Sequence, residues 1–289
     1  MTKQNAAVLV RLSIQGWGAS KVDDEANGIV QRETGASRAA GTYSKRLIDK
    51  KNFAPINKIK SQIKAFHQHN TRYWDDSGQR MVKADNLHEY RRQIDALKAQ
   101  YVQAAADLAD NLPQYIEDAR QSLGGLFDPN DYPTPEDIRN NLFRVDLDIN
   151  PLPDAQWIPM SVQERDCLVR DIEDGIKSKW RAGTRELFFR LRTQLHQMRD
   201  RLGEYATRLD METPNSRLHQ SLLENILDLA SIVQSLNIDN DPYLVLAVKK
   251  IEDEFSGLTI EELRSNAEAC RKLQAAVVEI EKDIPHEEI

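Results

Sequence analysis

Between residues 8 and 15 the chain alternates: Val8, Val10, Leu12 and Ile14 fall on one face, and Leu9, Arg11, Ser13 and Gln15 on the other. Period two is the pattern of a half-buried strand, and Gly16-Trp17-Gly18 ends it in a turn. A second alternation is cleaner. Phe143, Val145, Leu147 and Ile149 interleave with Arg144, Asp146, Asp148 and Asn150. Pro151-Leu152-Pro153 stops it, because proline removes a ladder donor. Two lone strands need a partner, so these two are expected to pair in one small sheet, with a weaker third strand near Gln156–Met160.

Elsewhere the apolar positions recur at steps of three and four. Pro55 followed by Ile56, Ile59, Ile63 and Phe66 predicts a helix with proline in its first turn. Leu87, Tyr90, Ile94, Leu97 and Tyr101 start another, continued by Ala105, Leu108 and Leu112. Pro113 is expected to kink or break it. Thr134-Pro135-Glu136-Asp137 carries a cap, a first-turn proline and acids at the positive dipole end. Ser161-Val162-Gln163-Glu164 is a capping box opening the longest predicted helix, about 162–209.

The second half of that helix carries Phe188, Leu191, Leu195, Met198, Leu202, Tyr205 and Leu209. This 3-4 seam is the interface pattern of a coiled coil, because two apolar residues per seven keep one stripe facing its partner. Leu218, Leu222, Ile226, Leu229, Val233 and Leu236 form a second stripe after a turn. The two are expected to fold back as an antiparallel hairpin, while pairing between copies of the chain, a homo-oligomer, stays open. Gly183 and Gly203 each weaken the long helix by about 1 kcal/mol relative to alanine and mark places to bend. Asp241-Pro242 opens a further helix that Gly257 closes, and Thr259-Ile260-Glu261-Glu262 reads as a capping box for a last one.

The fold class is therefore mostly α: long helical hairpins or a coiled coil with a small two- or three-stranded β-sheet. An N-terminal α+β part (1–160) precedes a C-terminal helical part (161–289), and no linker separates them, so one continuous domain fits equally. Composition agrees: 289 residues contain only 12 Gly and 11 Pro, few for an all-β or βαβ protein. The longest strongly apolar run, Leu244–Val248, is far short of the ~20 residues of a membrane helix. Arg11 and Gln15 interrupt the N-terminal stretch where a secretory segment would need apolar residues. Two cysteines make no disulfide framework. The expectation is a chain with no membrane contact in a reducing, cytoplasmic compartment.

Charge is unevenly placed. Residues 31–100 hold 15 Lys/Arg against 7 Asp/Glu, whereas residues 101–289 hold 21 against 36, within a net charge of −7. In the basic part Lys45, Arg46, Lys50, Lys51, Lys58, Lys60 and Lys64 are interleaved with Phe53, Phe66, His67, Tyr73 and Trp74. Lysines neutralise phosphates and flat rings stack on bases, so this segment is a candidate for single-stranded nucleic acid, Tyr73 and Trp74 supplying the rings. The plainer alternative is an amphipathic helix with its lysines in water, or a basic face packed on an acidic protein surface.

Catalytic patterns are missing. The chain has no Walker-type phosphate loop, no Gly-x-Gly-x-x-Gly turn and no His-Glu-x-x-His pair. His67 and His69, two apart on a helix, point away from each other and cannot share a metal. Cys167 and Cys270 lie on apolar helical faces, where a thiol acts as a small hydrophobe. Asp146 and Asp148 share one strand face and could hold a cation, but a solvated face already accounts for them. No catalytic residue, metal or cofactor is assigned.

Several stretches resemble a family of uncharacterised helical proteins of bacteriophages and mobile elements. They are LVRLSIQGWGASKVD, SKRLIDKK, FHQHNTRYWDDSGQRMVKADN, GGLFDPNDYPTPEDIR and the second strand with its PLPD, all within about residues 8–155. Members are often encoded near a MoxR-type AAA+ ATPase. The resemblance implies an assembly or remodelling role in a bacterial host cell and carries over no catalytic residue. Two functions follow. One is a non-enzymatic scaffold or adaptor, acting through protein–protein contacts, with an AAA+ ATPase as a partner. The other is a nucleic-acid-binding protein of phage recombination or replication, using residues 45–80. A metal-dependent enzyme on Asp146 and Asp148 is the third and weakest.

Overall fold

The two alternating segments form β1 (Ala7–Gln15) and β6 (Arg144–Asn150), neighbours in one sheet. The computed structural model describes residues 7–153, 162–211 and 218–285, so the third strand expected near 156–160 and the cap at Ser161 lie outside the described residues. The sheet is wider than expected. Its order is β4-β5-β1-β6, with β4 (Arg72–Tyr73) and β5 (Gln79–Lys83) contributed by the basic segment. β5 runs antiparallel to β1, Ala7 opposite Lys83 and Arg11 opposite Gln79, and β4 runs antiparallel to β5. Between β4 and β5, Gly78 takes a φ of 85°, open to glycine at no steric cost. The Asp75 carboxylate accepts from the Ser77 amide at 3.0 Å and the Ser77 hydroxyl at 2.6 Å.

β2 (Ser20–Val22) and β3 (Ser44–Arg46) form a separate antiparallel ladder, and α1 (Asp24–Thr34) stands between them in sequence. Leu9, placed by the alternation with the outward residues, is buried like Val10, because Trp74, Met81 and Trp180 cover its face of β1.

The Pro55 expectation needs correction, and at Pro113 the helix does not break. α2 (Lys50–His69) starts before Pro55, since Asp49 accepts from the Lys51 amide through its carboxylate at 3.0 Å and from the Asn52 amide through its carbonyl. α3 (Leu87–Leu123) runs through Pro113, with Tyr101, Leu108 and Leu112 buried before it and Ala119 after it. Burial on both sides of the proline outweighs the ~3 kcal/mol of an interior proline. The Thr134 capping box forms as expected, but α4 (Pro135–Asp137) is three residues long and passes into a wider turn over Ile138–Leu142.

The long helix α5 (Val162–Asp210) is followed by α6 (Ser221–Leu236), α7 (Pro242–Phe255), α8 (Ile260–Ser265) and α9 (Ala267–Asp283). The expected single last helix is two. Asn266 is extended (φ −136°, ψ 103°) and its side chain caps α9 by accepting from the Glu268 and Ala269 amides, while the Thr259 side chain makes no cap bond. Among the described residues no helix is long and apolar enough to cross a membrane.

Contacts divide the chain into two interleaved units, one of Met1–Arg11, Gln68–Leu87 and Ile149–Ile289, the other of Leu12–His67 and His88–Asp148. In the first, Phe188, Leu191, Leu195, Met198, Leu202 and Tyr205 are all buried, and Leu209 packs beside them. The 3-4 spacing demands an apolar partner without naming it. α9 covers most of the stripe, and α6 meets α5 over a shorter stretch and packs mainly on α7.

Gly183 has a role beyond bending. A Cβ there would lie 2.8 Å from the Tyr73 carbonyl oxygen and 2.9 Å from Arg72 Cγ, with Arg72 Nε closer still. β4 can therefore lie against α5 only over a glycine. Arg72, fully buried, donates to the Asp239 carboxylate at 2.7 Å, to the Thr184 hydroxyl and to the Trp180 carbonyl, with its guanidinium 5.4 Å from the Trp180 ring centroid. Arg80 and Arg190 both donate to Glu186 at 2.8 Å on the next turn of α5.

Two outcomes follow for stability. Leu195→Ala and Leu202→Ala should each lose ~2–5 kcal/mol in denaturant unfolding. An unchanged midpoint would place the stripe outside the core. Gly183→Ala, which raises helix propensity, should nevertheless lower Tm, because the added methyl meets backbone; a raised Tm would show that β4 does not bear on α5 there.

Candidate functional site

The β2–β3 register sets Lys21 directly opposite Lys45. Like charges across a ladder repel, so the pair needs anions. Asp131 bridges them, pairing with Lys21 and lying 2.7 Å from Lys45 Nζ, and Asp23 lies 2.9 Å from the same ammonium. Lys45 also donates to the Leu126 carbonyl at 2.7 Å, and its side chain is 7% exposed. A one-turn helix, Pro129–Asp131, presents Asp131, with Asp128 accepting from the Asn130 amide. The Ala26 amide, then Lys45, hold the Asp23 carboxyl below its ordinary range. Burial pushes the Asp131 carboxyl up, but Lys21 and Lys45 outweigh it, and the net shift is downward. Lys45 is raised, chiefly by its bond to Asp131, against the cost of burial. This ammonium holds two strands and a loop together, so it is not presented to a ligand.

The other basic candidates differ among themselves. Arg46, Lys50, Lys51, Lys58 and Lys64 are exposed, and Lys60 is half-buried. Lys51 lies 3.5 Å from Asp49, whereas Lys50, Lys58, Lys60 and Lys64 make no ion pair among the described residues. Phe53, Ile56 and Ile63 are buried on the opposite side of α2, the arrangement of an amphipathic helix with wet lysines. Tyr73 is half-buried, its hydroxyl donating to Asp76 at 2.8 Å and its amide to Glu186 at 2.6 Å. Trp74 is 1% exposed, clustered with Ala7, Leu9, Met81, Leu152 and Trp180, and the Lys179 ammonium sits 5.1 Å from its ring centroid. Its faces are occupied within its own unit.

His67 is buried and hydrogen-bonds through Nδ1 to the Tyr90 hydroxyl at 2.7 Å. Cys270 is a buried free thiol whose Sγ donates to the Leu263 carbonyl, and burial raises its pKa. Asp146 lies 3.4 Å from Arg144, and among the described residues no group of three His, Cys, Asp or Glu is placed to hold a metal ion.

An apolar surface on α7 emerges that the residue patterns had not assigned. Leu244, Ala247, Val248, Ile251 and Phe255 are buried, yet Tyr243, Val245 and Leu246 are 53%, 52% and 43% exposed. The signal was present in the sequence. Five successive apolar residues on a helix turn through ~400°, more than a full circle, so the run Leu244–Val248 cannot be buried whole by a one-sided contact. The Asp241 carboxylate fixes the start of α7 by accepting from the Tyr243 and Leu244 amides at 3.0 and 3.1 Å.

No family model, curated protein or solved structure matches the chain.

The Lys45 cluster generates a pH dependence. Asp23 and Asp131, with depressed values, contribute stability that is complete above about pH 4 and lost as pH falls through those folded values. Lys45, with a raised value, contributes stability that is complete below its ordinary ~10.4 and is lost only above it. Lys45→Met should therefore lower Tm at pH 7 yet flatten its fall between about pH 4 and 2. Parallel acid profiles for variant and parent, measured by circular dichroism, would count against the cluster.

Proposed function

We propose that the protein is a non-enzymatic helical scaffold or adaptor of a bacteriophage or mobile element that docks an AAA+ ATPase. The observation that carries this reading is the outward face of α7. Tyr243, Val245 and Leu246 spread over the solvent-facing half of one helix, capped by Asp241 and anchored through Leu244 and Val248, and such a cluster of exposed apolar side chains on one element supports a protein contact. The stripe at 188–209 is spent within the chain, so it is not the docking element. The partner class comes from the resemblance of residues 8–155 to proteins encoded near MoxR-type ATPases.

The second reading, single-stranded nucleic acid on α2, is favoured by the exposed, unpaired Lys50, Lys58 and Lys64. It draws nothing from the buried Lys45 and Trp74. With Trp74 buried, the lysine row chiefly supports backbone neutralisation, which is weak and strongly salt-dependent.

The test is binding of the purified chain to a purified bacterial MoxR-type ATPase, followed by fluorescence anisotropy. Micromolar or tighter binding is expected, with Val245→Glu and Leu246→Glu each weakening it about tenfold or more at unchanged Tm. Absence of binding, or binding indifferent to both substitutions, would overturn the reading. Tight binding to a single-stranded oligonucleotide that falls steeply with salt would favour the second instead.

A further inference from the structure

The unit that contains α2 and α3 holds an open groove of about 510 Å³, between the β3–α2 junction and the last turns of α3. Its two walls differ chemically. From the β3–α2 side come Tyr43, Arg46, Lys51 and Asn52, and from α3 come Tyr115, Asp118, Ala119 and Ser122. The α3 residues recur at steps of three and four, so they share one helical face. Apolar Leu47, Ile48 and Ala119, each under 7% exposed, give the groove a firm base.

We infer that this groove binds a 5′-mononucleotide. The charge distribution decides the ligand class. Arg46 makes no ion pair among the described residues, and Lys51 projects beside it, its side chain 77% exposed. Together they offer a planar fork and a point charge to a phosphate. Two acids line the groove as well. Asp49 accepts from the Lys51 backbone amide at 3.0 Å and its other oxygen lies 3.5 Å from the Lys51 ammonium, its carboxyl held below the ordinary range first by that amide, so a phosphate meets Arg46 unpaired and shares Lys51 with Asp49. Asp118 accepts from the Gln114 amide at 3.0 Å and keeps acceptor capacity for a hydroxyl or exocyclic amine. A simple anion would gain nothing from Asp118 and could use only the hydroxyls, not the rings, of the two tyrosines. A nucleotide uses all of them: phosphate on Arg46 and Lys51, base against Tyr43 or Tyr115, and sugar or base donors on Asp118. The volume also falls within the ~300–1,000 Å³ of small-molecule sites and is larger than phosphate needs. Tyr43 is 43% exposed, a large ring in contact with water that a base would cover.

The inference does not depend on the α7 surface, which belongs to the other unit. The experiment is calorimetric titration of the full chain with AMP, UMP, adenosine, inorganic phosphate and a short single-stranded oligonucleotide. At least one mononucleotide should bind about tenfold or more tighter than both adenosine and phosphate, because each of these lacks one half of the recognised groups. Arg46→Gln should weaken mononucleotide binding about tenfold, and Tyr115→Leu should weaken it while leaving phosphate binding unaltered. Arg46 is exposed, so its variant should keep the parent Tm, and Tyr43→Ser serves as a second exposed-site variant if Tyr115→Leu fails to fold. Mononucleotide binding no tighter than phosphate, binding unchanged by both Arg46→Gln and Tyr43→Ser, or binding of the oligonucleotide alone would each overturn the inference.

Discussion

A guanidinium with no exposed surface has to find its counter-charge and acceptors within the protein, and Arg72 finds them on two segments far from it in sequence. Asp239 comes from the turn before α7, Thr184 and the Trp180 carbonyl come from α5, and Arg72 itself sits on β4. Removing any partner strands a charge in a low-dielectric interior, which is far costlier than the pair is favourable. Burial raises the Asp239 carboxyl, but Arg72 overrides it and the net shift is downward. Glu186, with Arg190 and Arg80, repeats the arrangement one turn along, again with a net lowering against burial. Gly183 is the steric condition for both, since only a hydrogen side chain lets the β4 backbone lie so close to α5. The position of α5 against the sheet edge thus follows from one arginine and one glycine.

With α5 held there, the apolar chemistry of its unit has a fixed outlet. The stripe from Phe188 to Tyr205 is consumed by α9 and α6, and α6 in turn packs on the inner side of α7. On the outer side of α7, Tyr243, Val245 and Leu246 meet solvent, as Phe189 does on α5. The other unit handles charge in a comparable way. Its buried lysine is neutralised by Asp23 and Asp131, and its exposed cations gather at the start of α2 and along its wet face. One unit exposes apolar side chains on a helix, the other a groove that pairs Arg46 and Lys51 with Asp49 and Asp118.

Much of the fold was legible because it rests on local periodicity. β1, β6, α5 and the Asp241-Pro242 start of α7 follow from spacing within a dozen residues. The breaks in legibility are equally physical. Pro113 and Pro55 were read by local cost, whereas burial on both sides of Pro113 and the Asp49 cap before Pro55 decided the outcome. The partner of the α5 stripe was unreadable, because every apolar stripe in the chain presents the same face. Trp74 and Lys45 counted as candidate ligands by composition, and only tertiary pairings over 80 residues or more, such as Lys45 with Leu126 and Lys179 with Asp75, reveal them as internal. The exposed half of Leu244–Val248 could have been deduced from helix geometry alone, and the β4–β5 hairpin from Asp75-Asp76-Ser77-Gly78.

The claim that Arg72 organises its unit is most directly tested by a double-mutant cycle. Unfolding free energies of the parent, Arg72→Met, Asp239→Leu and the double variant give the coupling between a strand and a turn 167 residues apart. The account predicts a coupling of about 2 kcal/mol or more, with the double variant more stable than either single one, since it removes both charges from the interior together. Additive losses, with a coupling within about 0.5 kcal/mol of zero, would contradict it.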